Sequence, residues 1–346
     1  MIFDYEKIYT FENLYRAYLA SRRCKRKTRE VVEFEMDAGI QLIRLQEELR
    51  SESYRLSGYY HFTIYDPKVR EIYALHYRDR IVQHSLCDNV LAPYFETHLI
   101  YDNAACRKGK GTLFAMNRLN HFLLKHYRKH GRTGYFLKCD IRKFFDSIDH
   151  QILKDQLAEV IDDDRTLRML FGIIDSYEVS PGKGIPMGNQ TSQWFALYYL
   201  DPLDRLVKEK LQIKFYTRYM DDCILISHSK EELNHALTEM RTLLVELGLE
   251  FNAKTQIFPI TSGVEYLGWR YCLTESGAVI RRLKKQSKIR WKHRMWKLRE
   301  EYSAGRITEE TVRMSVQSYE NYMSYGNTWK MMHQADEIEK TERKRG

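Results

Sequence analysis

Apolar residues follow two periods along this chain, and the switches between them divide it. From residue 11 to 57 the spacing is helical: the stretch Val31–Arg50 sets Ile40, Leu42, Ile43, Leu45 and Leu49 among charges. Tyr59–Tyr65 is β-branched and aromatic, which predicts a strand that Asp66-Pro67 closes. An amphipathic helical segment follows Asp79, with Ile81, Leu86 and Val90 on one side. Tyr135–Asp140 reads as a strand that ends in a carboxylate, and Thr191–Leu200 as an apolar helix broken at Asp201-Pro202. Lys214–Ser227 predicts two short strands around an acidic turn. Ser229 is placed to cap the next helix, with Glu232 completing a capping box, Leu233, Leu237, Met240, Leu244 and Leu247 as the apolar face, and Gly248 as the stop. Val264–Cys272 predicts a strand pair or strand–turn. From Ile280 the pattern predicts helix, with Trp291, Met295, Leu298 and Tyr302 on one face. This order predicts an α+β layer, an antiparallel sheet with helices packed on one face.

The length, 346 residues, allows two or three packed units with real cores, and 43% hydrophobic with 30% charged residues is a globular balance. No stretch approaches the ~18 apolar residues of a membrane span. The start, Met1–Glu6, is acidic and aromatic where a signal peptide is basic and then apolar, so the sequence predicts a cytoplasmic protein. Cysteines at 24, 87, 106, 139, 223 and 272 form no C-x-x-C pair, which argues against a zinc ribbon and a disulfide framework. Charge changes the picture more. Lysine plus arginine is 56 against 47 acids, and residues 281–300 hold ten Lys/Arg with Glu300 as their single acid. A cationic face this dense suits a phosphate backbone, where a merely solvated helix mixes both signs.

Three carboxylates carry the candidate chemistry. Asp140 closes an apolar strand, and Asp221-Asp222 sits at the tip of an apolar hairpin. Adjacent carboxylates raise each other's pKa unless a cation neutralises them. Mg²⁺ or Mn²⁺ does this with oxygen ligands, and two such ions about 3.5–4 Å apart serve nucleotidyl-transfer sites. Asp140-Ile141-Arg142-Lys143-Phe144-Phe145-Asp146 and Tyr219-Met220-Asp221-Asp222 resemble the first and third palm motifs of reverse transcriptases. Gly184-Ile185-Pro186-Met187-Gly188-Asn189-Gln190-Thr191-Ser192-Gln193 resembles the motif between them. Asn252-Ala253-Lys254-Thr255 resembles the lysine-bearing motif after the hairpin, and Glu265-Tyr266-Leu267-Gly268-Trp269 the primer grip. Upstream, Lys68-Val69-Arg70, Asp79-Arg80-Ile81-Val82-Gln83 and Arg107–Thr112 resemble fingers motifs of the bacterial enzymes.

The resemblance implies a right-hand polymerase. A helical N-terminal region spans 1–57 and fingers 58–133. A palm with a ferredoxin-like sheet spans 134–274, with a fingers segment interleaved at about 150–183, and a basic helical thumb spans 275–346. It implies RNA-directed DNA polymerase activity with two Mg²⁺ ions (Mn²⁺ able to substitute), held by Asp140, Asp221, Asp222 and the Ile141 carbonyl. Phe145 matches the aromatic steric gate that excludes a ribose 2′-hydroxyl. Arg70 and Arg107 are the best triphosphate contacts, since guanidinium binds phosphate bidentately, and Lys68 and Lys110 are secondary ones. Lys254 is a proton donor to the leaving pyrophosphate or a plain surface lysine. Gly188, Ser192, Tyr219, Met220, Leu267 and Gly268 fall on primer–template positions, and Lys284, Lys285, Lys288 and Lys292 on a duplex-tracking thumb helix.

The Gly-x-x-x-Ser-Gln ending at Gly188–Gln193 is similar to that of diversity-generating retroelement reverse transcriptases, although that family has Ile or Leu where this chain has Met187. This implies copying of a structured template RNA into cDNA mutagenised at adenines, dNTPs as substrates, an RNA/cDNA duplex as product, and a small basic pentameric accessory protein as partner. A reverse transcriptase of an antiphage defence system shares every catalytic motif, and a template-repeat locus beside the gene separates the two. A catalytically silent RNA-binding scaffold is the reading from another class, opposed by the three intact acids.

Overall fold

The structure is a computed structural model that describes residues 3–65 and 69–328. Asp66, Pro67 and Lys68, and the end of the expected thumb from 329, lie outside the described residues. Four helices open the chain: α1 (Glu6–Tyr9), α2 (Phe11–Ser21), α3 (Arg29–Glu35) and α4 (Ala38–Arg50). They bury Leu14, Tyr18, Phe34, Leu42, Leu45 and Leu49 against α5 (Tyr77–Leu86). Between them stands an antiparallel hairpin, β1 (Tyr59–Ile64) and β2 (Arg70–Leu75). Asp79 on α5 is wholly buried and fixes the approach to that hairpin. It accepts from the Tyr54 hydroxyl (2.7 Å) and the Ser57 amide (2.9 Å).

After a π-helical turn (Cys87–Leu91) and α6 (Ala92–His98), α7 (Thr112–His130) leads into the central sheet. Its strands are β3 (Tyr135–Cys139), β4 (Phe215–Tyr219), β5 (Asp222–Ser227) and β6 (Gln256–Pro259). They lie in the order β4-β5-β3-β6, and each neighbouring pair is antiparallel. That is the ferredoxin-like order the resemblance implies. Helices α8 (Phe144–Ser147), α9 (His150–Ala158), α10 (Asp164–Asp175), α11 (Gln190–Tyr199) and α12 (Asp201–Arg205) connect β3 to β4, and α13 (Lys230–Glu246) connects β5 to β6.

Strand alternation divides the sheet between two cores. Leu137, Cys139, Cys223 and Leu225 join the core that holds α11 and α13. Phe136, Ile224 and Ile226 point the other way, to Ala115, Met116, Leu119, Phe122 and Leu123 of α7 and to a second sheet. The expected helical layer is therefore on one face, and the opposite face is closed as well.

The second sheet is β7 (Val264–Tyr266), β8 (Trp269–Leu273) and β9 (Val279–Leu283). Two expectations are corrected here. Ile280–Leu283 is strand rather than helix: it pairs with β8, and Leu283 is buried opposite Trp269. The arginines at 281 and 282 mask that alternation in the sequence. The basic helix α14 (Lys285–Ser303) starts only after it and packs on α15 (Glu309–Met323) through Trp291 and Tyr319, while Tyr302 stays exposed. The capping box is also only half made. The Ser229 hydroxyl accepts from the Glu232 amide (3.0 Å), but the Glu232 carboxylate takes the Ser227 hydroxyl and leaves the Ser229 amide to Ser227 Oγ (3.0 Å).

Candidate active site

The three acids lie at one end of the central sheet. Cys139 pairs with Cys223 across β3–β5, so the next residue along, Asp140, comes level with Asp222. Tyr219 pairs with Asp222 across β4–β5, which makes Met220-Asp221 a two-residue turn. Met220 holds φ +55°, a left-handed conformation that a methionine adopts only when its surroundings impose it. The surroundings are visible. Arg218 Nη1 donates to the Met220 carbonyl (3.0 Å) and Nη2 to that of Leu197 on α11 (3.1 Å). The same guanidinium, itself fully buried, grips Asp204 with two bonds of 2.7 and 2.6 Å. Asp204 further accepts from the Tyr216 hydroxyl (2.6 Å) and the Asn103 amide (3.3 Å). This buried network places the turn, and the sequence reading missed it. The available signal was an arginine at an inward position of an apolar strand.

Asp140 is held from the other side. Its carbonyl accepts from the Asn252 amide (2.7 Å), and its amide donates to Thr255 Oγ1 (3.3 Å). The Asn252–Thr255 motif thus works through Asn252 and Thr255, while Lys254 projects into solvent.

Electrostatically the nearby cations only partly offset the acids. Burial, then the neighbouring Asp140 carboxylate, push the Asp221 pKa up, while Arg218 and Arg70 pull it down. Asp222 is raised to about 6, chiefly by burial and then by Asp140 and Asp221, against the pull of Lys138 and Lys284. Lys138 Nζ lies 3.6 Å from Asp222 Oδ2 and donates to the Glu265 carbonyl (2.6 Å). Asp222 Oδ1 is buried with no hydrogen-bond partner. Among the described residues no three His, Cys, Asp or Glu side chains are gathered closely enough to enclose an ion. The donor set is nevertheless hard oxygen with an orphaned carboxylate atom, which fits a divalent cation.

The other expected residues divide. Phe145 is half-buried on α8 beside Phe144, and its carbonyl accepts from the Ile185 amide (2.9 Å). Ile141 is buried and bridges to Phe251. Arg70, at the root of β2, is exposed and faces Asp221 electrostatically. Gly188, at φ +109°, lies under Ile72 of the same hairpin, and Asn189 bonds the Tyr73 carbonyl (3.3 Å). Ser192 is buried on α11 and Gln193 is half-exposed. Leu267 and Gly268 form the β7–β8 turn, both with positive φ (+47° and +87°), as a tight hairpin needs. A Cβ at Gly268 would meet the Tyr322 hydroxyl at 2.6 Å, which ties this turn to α15.

Two phosphate contacts are corrected. Arg107 is buried and spends its donors on Glu96 (3.0 Å) and on the carbonyls of Glu96, Ile100 and Asn103. Lys110 bonds the Tyr101 carbonyl (2.7 Å) and lies over the Tyr101 ring; burial lowers its pKa to about 8. Both residues build the loop before α7. Lys68 lies outside the described residues. Lys284 is paired with Glu265 (2.9 Å) beside the acids, whereas Lys285, Lys288 and Lys292 are exposed along α14.

A family model described as reverse transcriptase (RNA-dependent DNA polymerase) matches residues 66–271. The COX1/OXI3 intron 2 protein of Saccharomyces cerevisiae is 26% identical over 153 residues, 42% of this chain and 17% of that protein. Apo telomerase from Candida tropicalis superposes with a TM-score of 0.50 at 12% identity, covering 66% of this chain and 49% of that one. Telomerase from Candida albicans with a fragment of telomeric RNA gives 0.49 at 12% identity, over 66% and 46%. The chain thus spans about half the length of these telomerases and a smaller part of the yeast protein; the likeness to apo telomerase shows the fold alone. Among the described residues no helix is long and apolar enough to cross a membrane.

Proposed function

The chain belongs to the reverse transcriptase (RNA-dependent DNA polymerase) family, and from that membership we propose that it copies an RNA template into DNA from deoxynucleoside triphosphates. The observation that carries the reading is the strand register that sets Asp140 level with Asp222 beside the Met220-Asp221 turn. Reverse transcriptases use divalent ions, typically Mg²⁺. Here Asp140, Asp221, Asp222 and the Ile141 carbonyl would hold them. Bound there, such ions supply charge stabilisation for a primer hydroxyl and a leaving pyrophosphate.

The protein's own residues do the positioning. Arg218 and Asp204 hold the turn that presents Asp221, and Asn252 and Thr255 hold Asp140. Arg70, exposed and near enough to Asp221 to lower its pKa, binds the triphosphate. Phe145 lies beneath the sugar. Replacing Phe145 by alanine is expected to raise ribonucleotide incorporation roughly tenfold or more relative to deoxynucleotide. Paired single-nucleotide insertion rates measure this, and unchanged sugar selectivity refutes the gate.

The subtype reading is the diversity-generating one, supported by the Gly188–Gln193 ending and by the half-exposed amide of Gln193 on α11. In that reading Gln193 loosens pairing at the templating base, the template is a structured repeat RNA, and a basic pentameric accessory protein is the partner. Gln193→Pro is expected to lower misincorporation opposite template adenine severalfold. Sequencing of the cDNA checks it, and an unchanged error spectrum counts against this role of Gln193. Primer extension on RNA with labelled deoxynucleotides and Mg²⁺ tests the proposal as a whole: no extension reduces the chain to an RNA-binding scaffold.

A further inference from the structure

We propose that the groove between α7 and the start of β4 is a second polyanion site, which takes the phosphate backbone of an RNA segment lying outside the catalytic cleft. The groove, about 440 Å³, is lined by Arg118, His121, Lys125, Arg128, Lys129 and Lys214 over an apolar floor of Phe122 and Phe215. On a helix at 100° per residue, positions 118, 121, 125, 128 and 129 fall within an arc of about 100°, so the five form one stripe roughly 16 Å long. Lys214, the residue before β4, lines the groove with that stripe.

Most of this charge has no acidic partner among the described residues. Asp102 lies beside Arg118 but is already gripped by Arg118 (2.6 Å) and Lys208 (2.8 Å). Lys125, Arg128, Lys129 and Lys214 are exposed, and among the described residues none of the four has an acidic partner. The His121 imidazole records the local field: burial first, then Lys125, Arg118 and Arg128, hold its pKa below the ordinary value. A solvated helix face ordinarily mixes signs, as α13 does with its glutamates; a single-sign stripe of this length matches consecutive phosphates.

Position separates the groove from the catalytic end. Thr112, the first residue of α7, reaches the Tyr219 hydroxyl at 3.5 Å, whereas at the other end of the helix His130 stacks on His228 at 4.6 Å. Strand β4 runs from the groove at Phe215 to the turn at Tyr219. From Lys214 to that turn is about 17 Å of extended chain. A nucleic acid in this groove is therefore a different stretch from the one being copied. Only the choice of RNA as the polyanion rests on the proposed function.

The test uses the full chain and a fluorescent RNA stem-loop, with the cleft first filled by an unlabelled short primer–template duplex. Lys125→Glu/Arg128→Glu/Lys129→Glu is expected to weaken stem-loop binding at least tenfold and to reduce the slope of log affinity against log salt by about two. Its extension rate on the short duplex is expected to match the wild type. The neutral triple Lys125→Gln/Arg128→Gln/Lys129→Gln, which changes only exposed side chains, should fall between the two. Unchanged stem-loop affinity overturns the proposal. So does an equal loss of binding and short-duplex extension, which would make the groove part of the cleft. Tighter capture of polyglutamate than of RNA at equal salt overturns it in favour of an acidic protein partner. A wild-type chain that binds the stem-loop through this groove yet extends nothing supports the site and sinks the polymerase reading instead.

Discussion

Asp221→Ala is expected to abolish primer extension, and Asp140→Ala to do the same. Each removes an oxygen donor from a pocket whose other acids cannot move to replace it. Asp221 is fixed on a two-residue turn, and the backbone of Asp140 is bonded on both sides by Asn252 and Thr255. A fall of about a thousandfold or more corresponds to roughly 4 kcal/mol of transition-state stabilisation. The measurement is single-turnover extension on an RNA template with Mg²⁺, beside a melting curve to show that each variant folds. Near-normal extension by either variant would end the assignment of these carboxylates. Asp222 is expected to be more forgiving, because Lys138 already offsets part of its charge at 3.6 Å.

Asp204→Ala is expected to destabilise the protein by about 3–5 kcal/mol, because it strands the fully buried Arg218 without a counter-charge. It also removes an acceptor from Tyr216 and Asn103. Chemical denaturation, read as a lower midpoint at constant slope, checks this. The double variant Asp204→Leu/Arg218→Met removes both charges, so it should recover most of that stability. It cannot restore the bond from Arg218 to the Met220 carbonyl, however. The turn then loses its bond to the buried network at Met220, and extension is expected to stay impaired while stability is near normal. A double variant as active as the wild type would show that the network stabilises the fold without positioning the acids.

Much of the site was legible in the chain because its signals are local. Alternation in Tyr135–Asp140 and Lys214–Ser227, with acids where the alternation stops, predicts one strand and a strand pair that meet at carboxylates, and all three strands form. The misreadings share one cause, which is that charge in a sequence does not say what it faces. Arg107 and Lys110 have the residue type of phosphate contacts but meet carbonyls and Glu96. Arg281 and Arg282 look like the start of a basic helix but lie on a strand whose partner, β8, comes earlier in the chain. Glu232 has the spacing of a capping box but finds the Ser227 hydroxyl first.

Periodicity and turn chemistry along the chain marked most of the elements, and the resemblance of short motifs to those of reverse transcriptases singled out the three candidate acids, since each depends on neighbours within a few residues. Only the tertiary structure decided the order β4-β5-β3-β6, the second core closed by α7, the burial of Arg218 on Asp204 and the basic stripe at Arg118–Lys129. Those depend on pairings between residues tens of positions apart. Their energies come from desolvation and opposite charge, which exist only once the chain has brought the partners together.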